Sequence, residues 1–456
     1  MLAALTAASL LLAQPVSAQS VLRDAETEAM FAEMIAPLAK AAGLRPRDIK
    51  VVLIQDPEIN AFVVGGQAMY VHSGLLQAAE TANEVQGVLA HELGHIADGH
   101  VVLADAGIKP AMGIQLLSMV LGLAAIAAGG GEAGAGILAA GQQAAMGKYL
   151  SFSRVQEASA DAAALRYLNE SGITGKGLIS FFKKLQRQER YWGQTQKIDP
   201  FQQTHPLSSQ RIQTLTADVV GSPAYARPLD PALEERFRRV KAKLMGYAYP
   251  PDQTLRAYPV TDTSTYARYA RSYAYHKAGY PDKADAESLA LVRTRPDDPY
   301  FQEVRGQILL EAGKPQDALA PLKAATEGSR YSPLIATTYG HALIATEDAT
   351  NYGEATRVLR TAVSRDDANP FAWYQLGTVY ERTGDTARAA LATAERASMV
   401  GDSRTAAVSA RYALASLPHG GGGEDGLVGG HLRLRPPPRR RGSSIDALSD
   451  RRLRSA

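Results

Sequence analysis

The chain has 456 residues, too many for one compact core, and its 46% apolar and 21% charged content is that of folded protein. The net charge of +3 traces to residues 418–456, where eight arginines face four acidic residues. The balanced remainder excludes nucleic acid as an expected partner. There is no cysteine, which excludes disulfides and thiolate ligands and leaves histidine and carboxylates to hold any metal.

The first eighteen residues are uncharged and apolar and end in Val16-Ser17-Ala18, a small-x-small site. That is the form of a secretory signal peptide, so the expected location is the periplasm of a bacterial envelope. Residues 22–45 then predict an amphipathic helix, with Met30, Phe31, Met34, Ile35 and Leu38 at helical spacing. Three short β-rich runs follow: Val51–Ile54, Ala61–Val64, and Ala68–Val71 after Gly65-Gly66.

Thr81 and Glu84 make a capping-box pattern that opens a helix expected to run through His100. Ser153 and Gln156 repeat the pattern for a helix continuing to Gly172. Between them, residues 111–147 carry one charge, Glu132. Ala111–Ala128 is long enough to cross a bilayer, but a single crossing would separate the polar residues before it from those after it. The segment therefore predicts a helical hairpin, packed over the site or touching the membrane surface peripherally.

Proline-rich segments near 222–231 and 249–259 mark a linker, placed at 246–263. Beyond it, over 264–416, three series recur with spacings of 34 and then 37: Pro299, Pro333 and Pro370; Gly306, Gly340 and Gly377; and Gly279, Gly313 and Gly384, whose last interval skips one repeat. This is the tetratricopeptide helix-turn-helix period, with three extra residues near Asp348–Asn351. The final segment, 417–456, contains Gly420–Gly423, Pro436–Pro438 and Arg439–Arg441, and its composition predicts a disordered basic tail.

The chemistry concentrates in His91-Glu92-x-x-His95. Residues four apart share a helix face, so both imidazoles can reach one metal while Glu92 stands beside the open position as general base. By itself this short pattern arises by chance too often to decide anything. Two histidines need a further ligand, and Glu157 supplies a candidate. Asp161, one turn on, is placed to hold a ligand histidine in its tautomer. The many alanines around this pair, Ala158, Ala160 and Ala162–Ala164, predict a closely packed helix and not a solvated surface.

H-E-x-x-H followed by S-R-x-x-E-x-x-A-D resembles the zinc metallopeptidases related to the CAAX prenyl protease, which are gluzincins. The likeness takes in Asn60-Ala61-Phe62 with Gly65-Gly66, Ser73-Gly74-Leu75-Leu76, Thr204-His205-Pro206 and Arg211-Ile212, and covers about residues 22–245. It implies an endopeptidase with one zinc per chain, ligands His91, His95 and Glu157, base Glu92, and Asp161 supporting a ligand. It also singles out His205, which has two possible roles: donor to the oxyanion, or occupant of zinc's fourth position that keeps the enzyme latent. Asn60, Ala61 and Phe62 are the candidate substrate-binding residues. The strand Ala61–Val64 or Ala68–Val71 could pair with an extended substrate backbone.

The expected architecture is thus an α+β zinc metalloprotease domain over 22–245, mainly helical with a small sheet, followed by an all-α repeat domain. Expected partners are misfolded or unassembled envelope proteins, with the repeats docking clients or the outer-membrane assembly machinery. The competing reading is a periplasmic scaffold or chaperone whose protease site is latent or vestigial.

Overall fold

The computed structural model describes residues 20–64, 66–127, 131–192 and 205–416. The expected signal segment, Gly65, part of the glycine-rich stretch before Gly131, Thr204 and the expected basic tail lie outside the described residues. The chain forms two compact units that divide between Ala270 and Arg271.

In the first unit, β1 (Ser20–Leu22) precedes α1 (Ala25–Ala41). Strand β1 has only three residues, too few for any periodicity, and nothing in the sequence signalled it. Helix α1 starts at Ala25 and not at residue 22, capped by Asp24, whose carboxylate accepts the Thr27 amide at 2.8 Å. It buries Met30, Phe31, Met34, Ile35 and Leu38 as their spacing requires. Strands β2 (Lys50–Gln55), β3 (Ala61–Val64) and β4 (Ala68–His72) complete a sheet of order β1-β2-β4-β3. β1 and β3 run antiparallel to their neighbours, and β2 pairs β4 in parallel. β4 is therefore interior, and of the two strands considered for substrate pairing only β3 has an edge left open among the described residues.

Next come α2 (Ser73–Ala78), α3 (Ala82–Ala97), α4 (His100–Ala127), α5 (Gly131–Glu170), α6 (Lys176–Trp192), α7 (Ser209–Val220), α8 (Pro231–Ala248) and α9 (Pro251–Ala257). The core packs α1, α3, the second half of α5, α6, α7 and α8 against the sheet. Thr81 caps α3 as expected, and the Glu84 carboxylate reaches back to the Glu80 amide at 2.8 Å.

Two helix boundaries differ from the sequence expectation. α3 stops at Ala97, not His100, because Gly99 takes a left-handed conformation, φ +68°, and His100 opens a new helix. Ser153 and Gln156 do not start a helix. They lie inside the 40-residue α5, since the upstream alanines and Met146 are good helix formers and α4 packs along that arm. The hairpin expectation holds: α4 and α5 are its arms. Met112, Leu116, Leu117, Val120 and Leu121 are all exposed, so this part of the hairpin is not packed over the site. The segment 246–263 read as a linker carries the end of α8 and all of α9.

The repeats run through α10 (Thr265–Lys277), α11 (Pro281–Thr294), α12 (Pro299–Glu311), α13 (Pro315–Gly328), α14 (Pro333–Ala345), α15 (Tyr352–Arg365), α16 (Pro370–Arg382), α17 (Thr386–Met399) and α18 (Ser403–Ser416). Pro299, Pro333 and Pro370 each occupy the first helical position, where a missing N–H costs nothing. Between paired helices Gly313 and Gly384 take φ +75° and +80°. The corresponding turn of the next repeat holds Glu347 at φ +57°, followed by the three-residue helical turn Ala349–Asn351. This turn accounts for the longer spacing. An L side chain in this conformation is strained. Glu347→Gly is therefore expected to stabilise the repeats by roughly 1 kcal/mol, after allowance for glycine's greater unfolded entropy. The exposed Glu347–Arg382 contact, at 3.8 Å, offsets little of that. A higher urea midpoint would show the gain, and an unchanged one would show that the strain is already relieved.

Candidate metal centre

α3 brings His91, Glu92 and His95 to the core, and all three are buried. α5 crosses it at close range. A Cβ on Gly94 would lie 2.9 Å from the Ala160 backbone, so only glycine permits this approach. The crossing places Glu157 beside both histidines, and the turn before α7 adds His205. Five donor separations define the cluster. His91 Nε2 is 3.2 Å from His95 Nε2, 3.3 Å from Glu157 Oε2 and 3.3 Å from His205 Nδ1. Glu157 Oε1 is 3.4 Å from His95 Nε2 and 3.1 Å from His205 Nδ1. Ligands about 2.0–2.1 Å from one tetrahedral zinc stand about 3.3 Å apart, so the donor set fits that ion.

The surroundings fix each donor. His91 Nδ1 sits 3.0 Å from Asp161 Oδ1, where the sequence placed Asp161. Burial disfavours the charged imidazole, but Asp161 and Glu157 outweigh it and hold His91 up at about 9. Burial would likewise raise Glu157, yet His205, His91 and His95 keep it far below the ordinary carboxylate range. Among the described residues neither carboxylate oxygen of Glu92 has a hydrogen-bond partner, and Oε1 faces His205 Nε2 at 3.3 Å. A buried carboxylate of this kind calls for a proton donor beside it.

Two residues that the sequence reading did not assign to the site support it. Arg211 of α7 grips Asp161 with two nitrogens, at 2.5 and 2.8 Å, reaches Glu157 Oε2 at 2.8 Å and lies over the Phe182 ring. Arg211 entered the reading only as part of a motif, and its role depends on tertiary contact. His100 stands 2.9 Å from His95 Nδ1, and burial depresses both imidazoles. The left-handed Gly99 turns His100 back towards the preceding helix, a contact that a continuous helix would not make. Asn60 and Ala61 are buried and Phe62 is half-buried, stacked on Tyr70 at 5.4 Å. β3 packs against α3, so its edge lies beside the helix of the motif.

Two histidines, a carboxylate and an unpartnered glutamate between them form the apparatus of a zinc-dependent metalloprotease. Residues 23–219 match the profile of Peptidase family M48. Metalloprotease LoiP of Escherichia coli K12 is 32% identical over 207 residues, 44% of this chain and 74% of that protein. The beta-barrel assembly-enhancing protease of the same organism is 26% identical over 329 residues, 70% of this chain and 64% of that protein. Among solved structures, the tetratricopeptide protein YrrB covers 38% of the chain at 16% identity, with a TM-score of 0.31. The chain belongs to Peptidase family M48.

Arg211→Ala would leave Asp161 and Glu157 buried beside one charged histidine. In chelator-treated protein this is expected to cost about 3–5 kcal/mol, measured by urea unfolding. A loss below about 1 kcal/mol would mean that water already screens the pair.

Proposed function

We propose that this protein is a periplasmic zinc endopeptidase that cleaves misfolded or unassembled envelope proteins, held latent by His205, with the repeats docking clients or assembly partners. The observation that carries the catalytic part is the single buried cluster of His91, His95, Glu157 and His205 with Glu92 beside it. The envelope setting is supported by the signal-like first eighteen residues and by similarity to a relative named for β-barrel assembly.

In this reading His91, His95 and Glu157 hold the metal, and Asp161 orients His91. Zinc, when bound, acidifies a water and polarises the substrate carbonyl. Glu92 takes the proton from the attacking water on a carboxylate oxygen and delivers it to the leaving amine. The edge of β3, from Ala61 to Val64 and including Phe62, pairs with the substrate main chain, with Asn60 just before it. Such pairing reads little side-chain sequence, which suits clients without a fixed motif. The exposed apolar face of the α4–α5 hairpin makes a peripheral contact with the membrane surface.

Cleavage of unfolded casein tests the mechanism. Glu92→Gln should retain one zinc per chain and lose on the order of 10²–10⁴-fold in turnover, whereas Glu157→Ala should lose both metal and activity. Full activity in Glu92→Gln would remove it as the base, and full zinc in Glu157→Ala would require another ligand.

His205 Nδ1 stands at ligand-like distance from His91 and Glu157, so it could take the fourth position on a metal held there. This arrangement supports the latch. His205→Ala should keep zinc and raise casein cleavage. A fall on the order of 10²–10³-fold would instead assign it to the oxyanion.

A further inference from the structure

His72, the last residue of β4, is 3% exposed, and among the described residues neither ring nitrogen has a hydrogen-bond partner. Burying a polar ring without partners is costly, so its surroundings must answer for it. Its Nδ1 points at Asp56 Oδ1, 3.6 Å away. That is too long for a hydrogen bond, yet close to the separation of about 3.3 Å expected between two donors on one tetrahedral ion. Glu58 completes the group: donor atoms of Asp56, Glu58 and His72 all lie within 4.8 Å of one another.

The main chain holds this cradle in place independently of any ion. The Ser73 hydroxyl donates to the Asp56 carbonyl at 2.8 Å and accepts the Asp56 amide at 3.1 Å. The Gly74 amide donates to the same carbonyl at 2.8 Å, and the Glu58 amide donates to Asp56 Oδ1 at 2.9 Å. Gly74 packs so closely under the Pro57 and Glu58 carbonyls that no Cβ would fit there. Phe62 seals the other side, its ring edge-on to His72 at 5.7 Å. Glu58 is the exposed member of the set, Asp56 is half-buried and His72 is buried.

We propose that Asp56, Glu58 and His72 form a second cation site, separate from the metal centre, for a divalent transition ion such as manganese. One imidazole and two carboxylates suit such ions, while the histidine disfavours calcium and magnesium. The site spans the turn from β2 to β3, and the His72 amide donates to the Asn60 carbonyl at 3.0 Å. An ion there fixes the residues that lead into the β3 edge. That consequence rests on the proposed role of β3 in substrate pairing, but the cation site does not.

Manganese binding to the zinc-loaded full chain tests the site, because manganese lies below zinc in affinity order and does not displace it from the metal centre. Titration followed by the electron paramagnetic resonance of free Mn²⁺ should show one ion bound per chain. Glu58→Gln, an exposed change that leaves the core intact, and His72→Gln should each weaken binding by on the order of 10–100-fold. Glu92→Gln should bind manganese as the wild type does, so the result does not depend on proteolysis. Absence of saturable binding, or binding indifferent to Glu58→Gln and His72→Gln in folded protein, would overturn the proposal.

Discussion

The metal centre depends on how closely two helices approach. His91 and His95 lie on α3 and Glu157 lies on α5, and these elements are separated in sequence by all of α4. They share one cluster because Gly94 meets the Ala160 backbone with no room for a Cβ. Gly94 falls between the motif histidines, and Ala160 falls one turn after Glu157. Any side chain at position 94 would push the helices apart by about the width of a methyl group. Donor separations of 3.1–3.4 Å would not survive that displacement. The small residues at this crossing therefore set the chemistry as directly as the donors do.

Close packing creates an electrostatic problem that the surrounding residues resolve. Glu92, Glu157 and Asp161 are all buried within a few ångströms of one another's partners, and carboxylates in such a setting need cations or protons. Arg211 supplies one permanent charge to two of them. The protonated form favoured at His91 supplies a second, drawn by the same two acids. A divalent ion among these donors takes over the role of that proton. The polar cluster is thus balanced for a cation, and the aromatic face of Phe182, against both His91 and Arg211, closes it from the core side.

What could be read from sequence follows from the range of the interactions concerned. His91, Glu92 and His95 are legible because a four-residue spacing fixes a helix face whatever surrounds it. Asp161 is legible relative to Glu157 for the same reason. The repeats are legible because the same backbone demand recurs at each turn, and Glu347 shows that the demand persists where the glycine does not. Arg211 and His100 were not assigned, since their roles arise only when α7 and the Gly99 turn bring them to the histidines. The false start at Ser153 has the opposite origin. A capping box is a local pattern, and it has no effect inside a helix that packing has already extended.

That continuity of α5 has a mechanical consequence. Its 40 residues carry the apolar arm of the hairpin at one end and Glu157 and Asp161 towards the other, with no break at Ser153. The opposing arm, α4, begins at His100, which touches His95 through its ring. Both arms of the hairpin are therefore rooted in side chains of the metal centre. The Ser159 hydroxyl, hydrogen-bonded to Asp98, ties the two roots together across the Gly99 turn. The exposed apolar face is thus joined to the donors by helix and not by loop. The price of such a design is that α4 and α5 cannot be repacked without disturbing the ligand geometry, which confines tolerant sequence change to the distal part of the hairpin.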